Sequence, residues 1–220
     1  MEFSLTIVSD LDTVLDNTRG ILWTIFFNRL FGPITPKNDY FLGVPYPKVV
    51  GATALEDLIN SEATSMVKSL TDSPLSQDAA VFKSSIAIKF YERDRHAVCW
   101  ETWTLRVNVI NNRRYPAAPG ERHDLDAYRE VFENNLMEIC DVVDAHKSHI
   151  PAITSMETSP FPYRILRQDS SGNSGTASVE YVATTDAGDV IVQSAAANTG
   201  VYGEEILRNG YNFIKKMLSE

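Results

Sequence analysis

The side chains best suited to chemistry lie close together near the end of a predicted helix. His146 and His149 are three residues apart, and Asp141 and Asp144 precede them. Imidazole and carboxylate groups on one helix face are typical metal ligands. However, the helix is expected to end between the two histidines, and no further ligand is defined. The segment is therefore interpreted as a helix C-terminus whose cationic side chains interact with the helix dipole. A metal-dependent enzyme is the weaker alternative.

The two cysteines offer no better catalytic site. Cys140 precedes His146 by six residues. That spacing is about 600° around an α-helix and leaves the side chains about 120° apart, which excludes a Cys–His nucleophile pair. Cys99 falls in a predicted strand. Two cysteines do not form a disulfide framework, and both are predicted to be buried free thiols in a reducing compartment.

The common catalytic signatures are absent from the sequence. It contains no GxxxxGK motif, no GxGxxG after a strand, and no GxSxG, HExxH or CxxC motif. Each of these motifs supplies a loop or a spaced ligand set that its chemistry needs. The sequence therefore predicts no catalytic residue, no metal ion and no cofactor.

The net charge of −9 limits the kinds of partner. An acidic chain repels phosphate backbones, which argues against nucleic-acid binding. It also argues against docking on anionic membranes, unless a local basic patch overrides it. Residues 1–5 lack the basic region of a signal peptide, and no apolar run reaches the length of a membrane span. A cytoplasmic protein without membrane insertion is predicted.

Apolar residues at three- and four-residue spacing predict three helices. They are expected at residues 9–30, 53–73 and 125–147. Ser9 and Asp12 are spaced like a capping box at the first helix start. Residues 33–52 are rich in proline, glycine and aromatic residues and are interpreted as an ordered loop. Its aromatic side chains, at Tyr40, Phe41 and Tyr46, are expected to close over the core edge, with a small-molecule pocket as the alternative.

One predicted strand carries two of the three tryptophans. Trp103, Leu105 and Val107 alternate and so share one face. Trp100 is an odd number of residues from Trp103 and would point to the other face of a regular strand. Either both faces of this strand are covered, or a β-bulge near Glu101 redirects one ring.

The strand pattern predicts two hairpins. One joins residues 84–91 to residues 98–110, and the other joins residues 179–183 to residues 190–192. A further extended segment is expected at 161–165, and a final helix from about Gly203. Hairpins exclude a parallel doubly wound sheet, so the fold class is α+β with a mostly antiparallel sheet. No repeat or domain boundary is evident, and residues 1–220 are predicted to form a single domain.

Three segments resemble the family of autophagy-related protein 101, a HORMA-domain subunit of the autophagy-initiating kinase complex. They are Gly20–Arg29, Cys99–Leu105, and His149–Ile153 together with Pro160–Tyr163. The segments occur in the family's order, and the resemblance spans about residues 11–167. It implies a HORMA fold in an open form, with a central mostly antiparallel sheet, three backing helices, and a C-terminal hairpin and helix.

The resemblance also implies a function. Members of this family are non-catalytic scaffolds that pair with the HORMA domain of autophagy-related protein 13, stabilise it, and support autophagosome formation at the phagophore assembly site. In related HORMA dimers the end of the first helix and the third helix lie near the contact. The implied partner-binding residues are Phe27, Asn28, Arg29, Arg129 and Glu133. A peptide-clamping HORMA adaptor of DNA repair or a checkpoint is the alternative.

One segment departs from the family pattern. Many members carry a longer loop with an exposed Trp-Phe pair, called the finger, before the double-tryptophan strand. Here the loop is only Glu92–Val98, and it contains no Trp, Phe or Tyr. The recruitment of downstream proteins through a finger is therefore not implied for this chain.

Overall fold

The structure is a computed structural model that describes residues 1–72, 79–93, 98–113, 116, 125–154, 159–169, 178–182 and 191–195. Within these ranges no helix has the length and apolar character needed to cross a membrane. The helix predicted from Gly203 and the last residue of the helix predicted at 53–73 lie outside the described residues.

The described elements follow one another as strands and helices in a mixed order. They are β1 (Glu2–Asp10), α1 (Val14–Phe27), β2 (Pro36–Phe41), β3 (Val44–Val49), α2 (Thr53–Asp72), β4 (Val81–Tyr91), β5 (Cys99–Ile110), α3 (Leu125–Ala145), β6 (Tyr163–Asp169), β7 (Ser178–Val182) and β8 (Ile191–Ala195). The three helices and both hairpins predicted from the sequence are confirmed.

The main sheet has the strand order β1-β5-β4-β6-β7-β8. Among the described strands β1 and β5 pair in parallel, and the other neighbours in this sheet are antiparallel. This topology confirms the α+β class, with a mostly antiparallel sheet and three helices. The β7–β8 hairpin extends the sheet from β6, at the edge opposite β1.

The core lies between one face of the sheet and the helices. β4 and β5 alternate along their length, and Ile86, Ile88 and Leu105 are fully buried. α1 contacts β1, β3, α2 and α3, so it is enclosed on several sides. That position explains why apolar side chains occur around most of its circumference rather than in one stripe.

Residues 33–52 do not form the predicted loop. They contain β2 and β3, which pair as an antiparallel hairpin closed by Leu42 and Gly43. These two turn residues have φ values of 46° and 82°, which is the backbone of a type I′ turn. Because Leu42 replaces the usual asparagine or glycine at such a turn, the sequence lacked a hairpin signal.

The aromatic side chains of this hairpin close over the core edge, as expected. Phe41 and Tyr46 are buried, and their ring centroids lie 4.8 and 6.1 Å from that of Phe132 on α3. Tyr40 points away and is 61% exposed. The rings of Phe41 and Tyr46 therefore belong to the hydrophobic core.

The capping box predicted at the start of α1 is wrong. β1 continues through Asp10, and the helix begins at Val14. The Asp10 carboxylate accepts hydrogen bonds from the backbone N–H of Asp12 and of Thr13, at 3.1 and 2.9 Å. This turn connects the strand to the helix without a side-chain cap on the helix itself.

The predicted burial of the two cysteines is also wrong. Both are free, but Cys99 and Cys140 are exposed. Cys99 precedes the first buried residue of β5, and Cys140 follows the buried Ile139 on the outer side of α3.

Gly20 allows α3 to approach α1 closely. A Cβ atom at this position would lie 2.6 Å from Cζ of Phe132, whose side chain is fully buried. We expect Gly20→Ala to lower the free energy of unfolding by about 1–3 kcal/mol through overpacking, despite the better helix propensity of alanine. Urea unfolding measures this, with Thr64→Ala on the exposed side of α2 as the control. Stability at or above that of the wild type would contradict the close contact.

Candidate partner-binding site

A buried ion pair connects the end of α1 to β5. Nε and Nη2 of Arg29 donate hydrogen bonds to Oε1 and Oε2 of Glu101, at 2.7 and 2.6 Å. The two side chains are 1% and 0% exposed. This bidentate geometry is the strongest arrangement of an arginine and a carboxylate, and it fixes the chain just after α1 against the sheet.

Two further side chains bind the same carboxylate. Nε1 of Trp103 donates to Oε1 of Glu101, and Nε2 of His149 lies 2.7 Å from Oε2. Burial acts to raise the pKa of the Glu101 carboxyl, but Arg29, Trp103 and His149 outweigh it and hold that pKa below its usual value. We call Arg29, Glu101, Trp103 and His149 the Glu101 cluster. It joins α1, β5 and the segment after α3.

The histidine and aspartate residues considered as a metal site take other roles. His149 binds Glu101, whereas His146 is exposed beside Phe3, with ring centroids 5.7 Å apart. Asp141 and Asp144 are exposed on α3. No group of three or more histidine, cysteine, aspartate or glutamate residues in the described ranges could hold a metal ion. The Glu101 cluster is suited to positioning backbone segments rather than to acid–base chemistry.

A β-bulge redirects the first tryptophan of β5. The β4–β5 register shifts after Phe90, which pairs with Glu101, so that Trp100 is an extra residue. Its ring centroid lies 5.8 Å from that of Phe90, 5.0 Å from that of Phe161 and 5.8 Å from Cζ of Arg29. The bulge alternative is thus confirmed, and Trp100 covers the buried ion pair.

An open pocket of about 320 Å³ lies beside this cover. It is lined by Glu92, Arg93, Pro151, Ala152, Ile153, Thr154, Pro160 and Phe161. Its walls come from the end of β4, the segment after α3 and the turn before β6. Phe31, which is 36% exposed, extends the apolar surface through an edge-to-face contact with Phe161.

Three of the predicted partner-binding residues lie at the end of α1. Phe27 is half-buried and packs against the core. Nδ2 of Asn28 donates to the carbonyl oxygen of Thr24 at 2.8 Å, and Asn28 is half-buried. Arg29 belongs to the Glu101 cluster and is buried. Arg29 therefore positions the backbone after α1 and does not present its own side chain on the surface.

The other two predicted residues lie elsewhere on the helix layer. Arg129 and Glu133 are exposed on α3, and in the sequence they lie before and after the buried Phe132. Phe132 faces Gly20 near the middle of α1, nine residues before Arg29. At 1.5 Å per residue, the two parts of the predicted site are about 13 Å apart along the helices.

The sequence contains one signal for the Glu101 cluster. Glu101 has the same strand parity as Trp103 and Leu105, so it lies on the core-facing side. A carboxylate at such a position requires a buried partner. Which residue supplies that partner depends on the tertiary fold, since Arg29 and His149 are 72 and 48 residues away.

The lowered pKa of Glu101 predicts a loss of stability in acid. A folded-state pKa below the usual 4.5 gives a stabilisation that is complete above the unfolded-state pKa and is lost as the pH falls through the folded-state pKa. We expect the unfolding free energy of the wild type to decrease below pH 4.5 more steeply than that of Arg29→Met/Glu101→Leu. Urea unfolding over a pH series measures both. Parallel pH profiles would contradict the prediction.

Comparison with known proteins finds one family. The family model described as autophagy-related protein 101 matches residues 6–157. No curated protein matches the chain. The matched range contains the whole Glu101 cluster and all five predicted partner-binding residues.

Proposed function

The chain belongs to the autophagy-related protein 101 family and therefore has a role in autophagy. On this premise we propose that residues 1–220 form a single non-catalytic HORMA scaffold of the autophagy-initiating kinase complex. Its partner in this proposal is the HORMA domain of autophagy-related protein 13, which it binds and stabilises. The family also supports the proposal that it acts in the cytoplasm, at the phagophore assembly site.

The observation that best supports this proposal is an exposed stripe on α3. Arg129, Glu133 and Met137 follow one another at four-residue spacing and so share one helix face. Met137 is 61% exposed. A flexible apolar side chain beside two opposite charges is a suitable contact for another folded domain. We call these three residues the α3 stripe.

The rigidity of α3 also supports a binding role. Phe132 holds the helix against α1 at Gly20, and Nδ2 of Asn135 donates to the carbonyl oxygen of Thr6 on β1 at 2.9 Å. The Glu101 cluster fixes the chain after α3 through His149. A helix anchored at several points presents its outer face with little loss of entropy on binding.

Phe27, Asn28 and Arg29 have a different place in the proposal. Phe27 and Asn28 contribute the half-buried surface at the end of α1, and Arg29 holds that end against β5. Replacing Arg29 is therefore expected to weaken partner binding through a local change in structure rather than through a lost contact.

Co-purification and calorimetry with the HORMA domain of autophagy-related protein 13 test this function. We expect binding at micromolar concentration or tighter. The charge swap Arg129→Glu/Glu133→Arg is expected to weaken binding about tenfold or more, the equivalent of 1.4 kcal/mol. The matched control is Asp57→Arg/Lys68→Glu, which swaps two exposed charges on α2. Absence of any binding contradicts the partner, and an unaffected charge swap contradicts the α3 stripe.

A further inference from the structure

The outer edge of β1 carries backbone groups that point away from the main sheet. β1 is an edge strand, and its neighbour among the described strands is β5. The backbone of Met1 faces β5, because its N-terminus donates to the carbonyl oxygen of Trp100 at 2.8 Å and its carbonyl oxygen accepts from the N–H of Thr102 at 2.9 Å. Successive residues of a strand direct their backbone groups to opposite edges. The even-numbered residues from Glu2 to Asp10 therefore direct their N–H and C=O groups away from β5.

Two asparagines occupy the C-terminal half of this edge. Nδ2 of Asn135 on α3 donates to the carbonyl oxygen of Thr6 at 2.9 Å, and Nδ2 of Asn17 on α1 donates to that of Val8 at 3.4 Å. Both bonds agree with the outward direction of the even-numbered residues. They also restrict the available part of the edge to its N-terminal half.

The N-terminal half of the edge is open among the described residues. The N–H and C=O groups of Glu2 and Ser4 and the N–H of Thr6 have no hydrogen-bond partner there. All three residues are exposed, so water can reach these groups. We call Glu2, Ser4 and Thr6 the open β1 edge.

β1 also lacks the features that usually prevent pairing at a sheet edge. It is nine residues long, pairs with β5 without a register shift, and contains no proline or lysine. Natural edge strands are commonly very short or bulged, or they carry proline or lysine. The open β1 edge is therefore a template on which another strand can pair through its backbone.

An acidic part of α3 lies beside the open β1 edge. Asn135 faces β1, whereas Phe132, three residues earlier, faces Gly20 on α1. A residue three positions after Asn135 is about 60° round the helix, on the side away from Phe132. That residue is the exposed Glu138, and Asp141 is exposed one turn later. The carboxylate of Glu138 therefore lies on the side that an added strand would occupy.

Half-buried apolar side chains line the same space. Val142 lies seven residues after Asn135, so it shares the same helix face, and it packs against the core. Phe3 on β1 is also half-buried, and its ring centroid lies 5.7 Å from that of His146, one turn after Val142. α3 thus runs along β1 from Thr6 towards Phe3. A strand added to the edge would cover the exposed part of both apolar side chains.

We propose that the open β1 edge binds an extended basic segment of another protein by strand addition. The backbone of Glu2, Ser4 and Thr6 supplies the hydrogen bonds, and alternate side chains of the added strand contact α3. Basic residues in that strand are attracted by Glu2 and Glu138 and by the net charge of −9. This surface is distinct from the α3 stripe, since Glu133 and Glu138 are about 140° apart around the helix.

The same carboxylates oppose pairing with a second copy of the chain. Antiparallel pairing of two β1 strands places both α3 helices on one face of the joined sheet, related by a twofold axis. Glu138 of each copy would then face its counterpart across the new pairing, and like charges placed together weaken an interface. A basic segment is therefore the better fit to this edge.

Amide hydrogen exchange of the full chain, followed by NMR, tests the open β1 edge directly. The probe is the peptide Lys-Val-Lys-Val-Thr-Val-Lys-Val-Lys. In the free protein we expect rapid exchange at Ser4 and Thr6, and protection at Leu5 and Ile7 by the ladder with β5. At a peptide concentration ten times its Kd, exchange at Ser4 and Thr6 should slow about tenfold. Protection of these two amides in the free monomer, no binding of the peptide, or no change on binding overturns the proposal.

Substitutions at Ser4 assign peptide binding to this edge. Ser4→Pro removes an outward N–H and leaves the β1–β5 ladder intact, since that group does not bond to β5. It is expected to weaken binding at least about tenfold in fluorescence polarisation, the equivalent of 1.4 kcal/mol, whereas Ser4→Ala should bind like the wild type. Ser4→Lys leaves the backbone unchanged and should also weaken binding, because an edge lysine opposes strand pairing. The matched control is Ser61→Lys on the exposed side of α2, and thermal unfolding checks each fold. Unchanged binding in the folded Ser4→Pro or Ser4→Lys protein overturns the proposal.

Two further comparisons test the chemistry of the occupant. The acidic peptide Glu-Val-Glu-Val-Thr-Val-Glu-Val-Glu has the same alternation and should bind at least about tenfold more weakly; equal binding overturns the basic character. Glu138→Lys should weaken binding of the basic peptide more than Asp57→Lys, which changes the net charge equally on α2. Protection of Ser4 and Thr6 that rises with protein concentration, together with a dimer in sedimentation equilibrium, overturns the proposal in favour of a second copy.

Discussion

Glu101→Gln is expected to lower the free energy of unfolding by about 3–5 kcal/mol. Glutamine has nearly the same shape, so the substitution removes the charge without creating a cavity. The Arg29 guanidinium, whose side chain is 1% exposed, would remain buried without a counterion. The hydrogen bonds from Trp103 and His149 would lose their charged acceptor as well. Urea or guanidinium unfolding at neutral pH measures the change.

Two variants complete this experiment. Glu130→Gln on the exposed face of α3 is the control for loss of a surface carboxylate and should change stability by less than about 0.5 kcal/mol. Arg29→Met/Glu101→Leu removes both buried charges and should recover much of the loss, since apolar pairs often replace buried ion pairs without penalty. A Glu101→Gln protein as stable as the wild type would contradict the central role of the cluster.

Trp103→Ala is expected to have an effect of similar size, about 3–5 kcal/mol. The ring is 1% exposed and its centroid lies 4.7 Å from that of Phe3 on β1. Truncation leaves a large cavity in the core beside Phe3 and removes one donor to Glu101. Chemical denaturation followed by far-UV circular dichroism measures the loss.

The two tryptophans of β5 provide a matched comparison. Trp103→Phe removes the hydrogen bond to Glu101 and keeps most of the ring. Trp100→Phe removes an indole N–H that has no hydrogen-bond partner among the described residues. We expect Trp103→Phe to cost about 1.5–3 kcal/mol more than Trp100→Phe, which is the contribution of one hydrogen bond to a charged acceptor. Equal losses would show that the indole of Trp103 acts through its volume alone.

The elements that could be predicted from the sequence are those whose signal is local. α1, α2 and α3 follow from apolar spacing within each helix, and the β4–β5 pairing follows from alternation on either side of a short polar segment. The sequence limited Trp100 to two alternatives, a second covered strand face or a β-bulge, because strand parity is a local property. The sequence gives no local signal for the pairing of a strand with strands outside its own hairpin.

The β2–β3 hairpin was missed for a specific chemical reason. Pro36, Pro45 and Pro47 fall inside its strands, and proline argues against a strand because it cannot donate to the ladder. The hairpin tolerates them because it is a separate two-stranded sheet, where each strand has a free edge. Its turn is Leu42-Gly43 rather than a pair that marks a type I′ turn.

The candidate site was only partly predictable because its parts meet through the tertiary fold. Arg29 was identified through the resemblance, but as a surface contact, whereas the structure buries it against Glu101. The pairing of β6 with β4 is likewise indicated by neither segment alone. The α3 stripe, by contrast, can be predicted once the helical repeat is known and the outward side of the helix is identified.

The parallel pairing of β1 with β5 has a consequence for synthesis of the chain. Each residue of β1 pairs with a residue 100 positions later, from Glu2 with Thr102 to Asp10 with Ile110. At translation rates of about 5–20 residues per second, roughly 5–20 s pass before β5, the neighbour of β1 among the described strands, has been made. During that interval its apolar side chains at Leu5 and Ile7 must be kept from other chains. The nascent chain is thus a natural client for ribosome-associated chaperones until β5 has emerged.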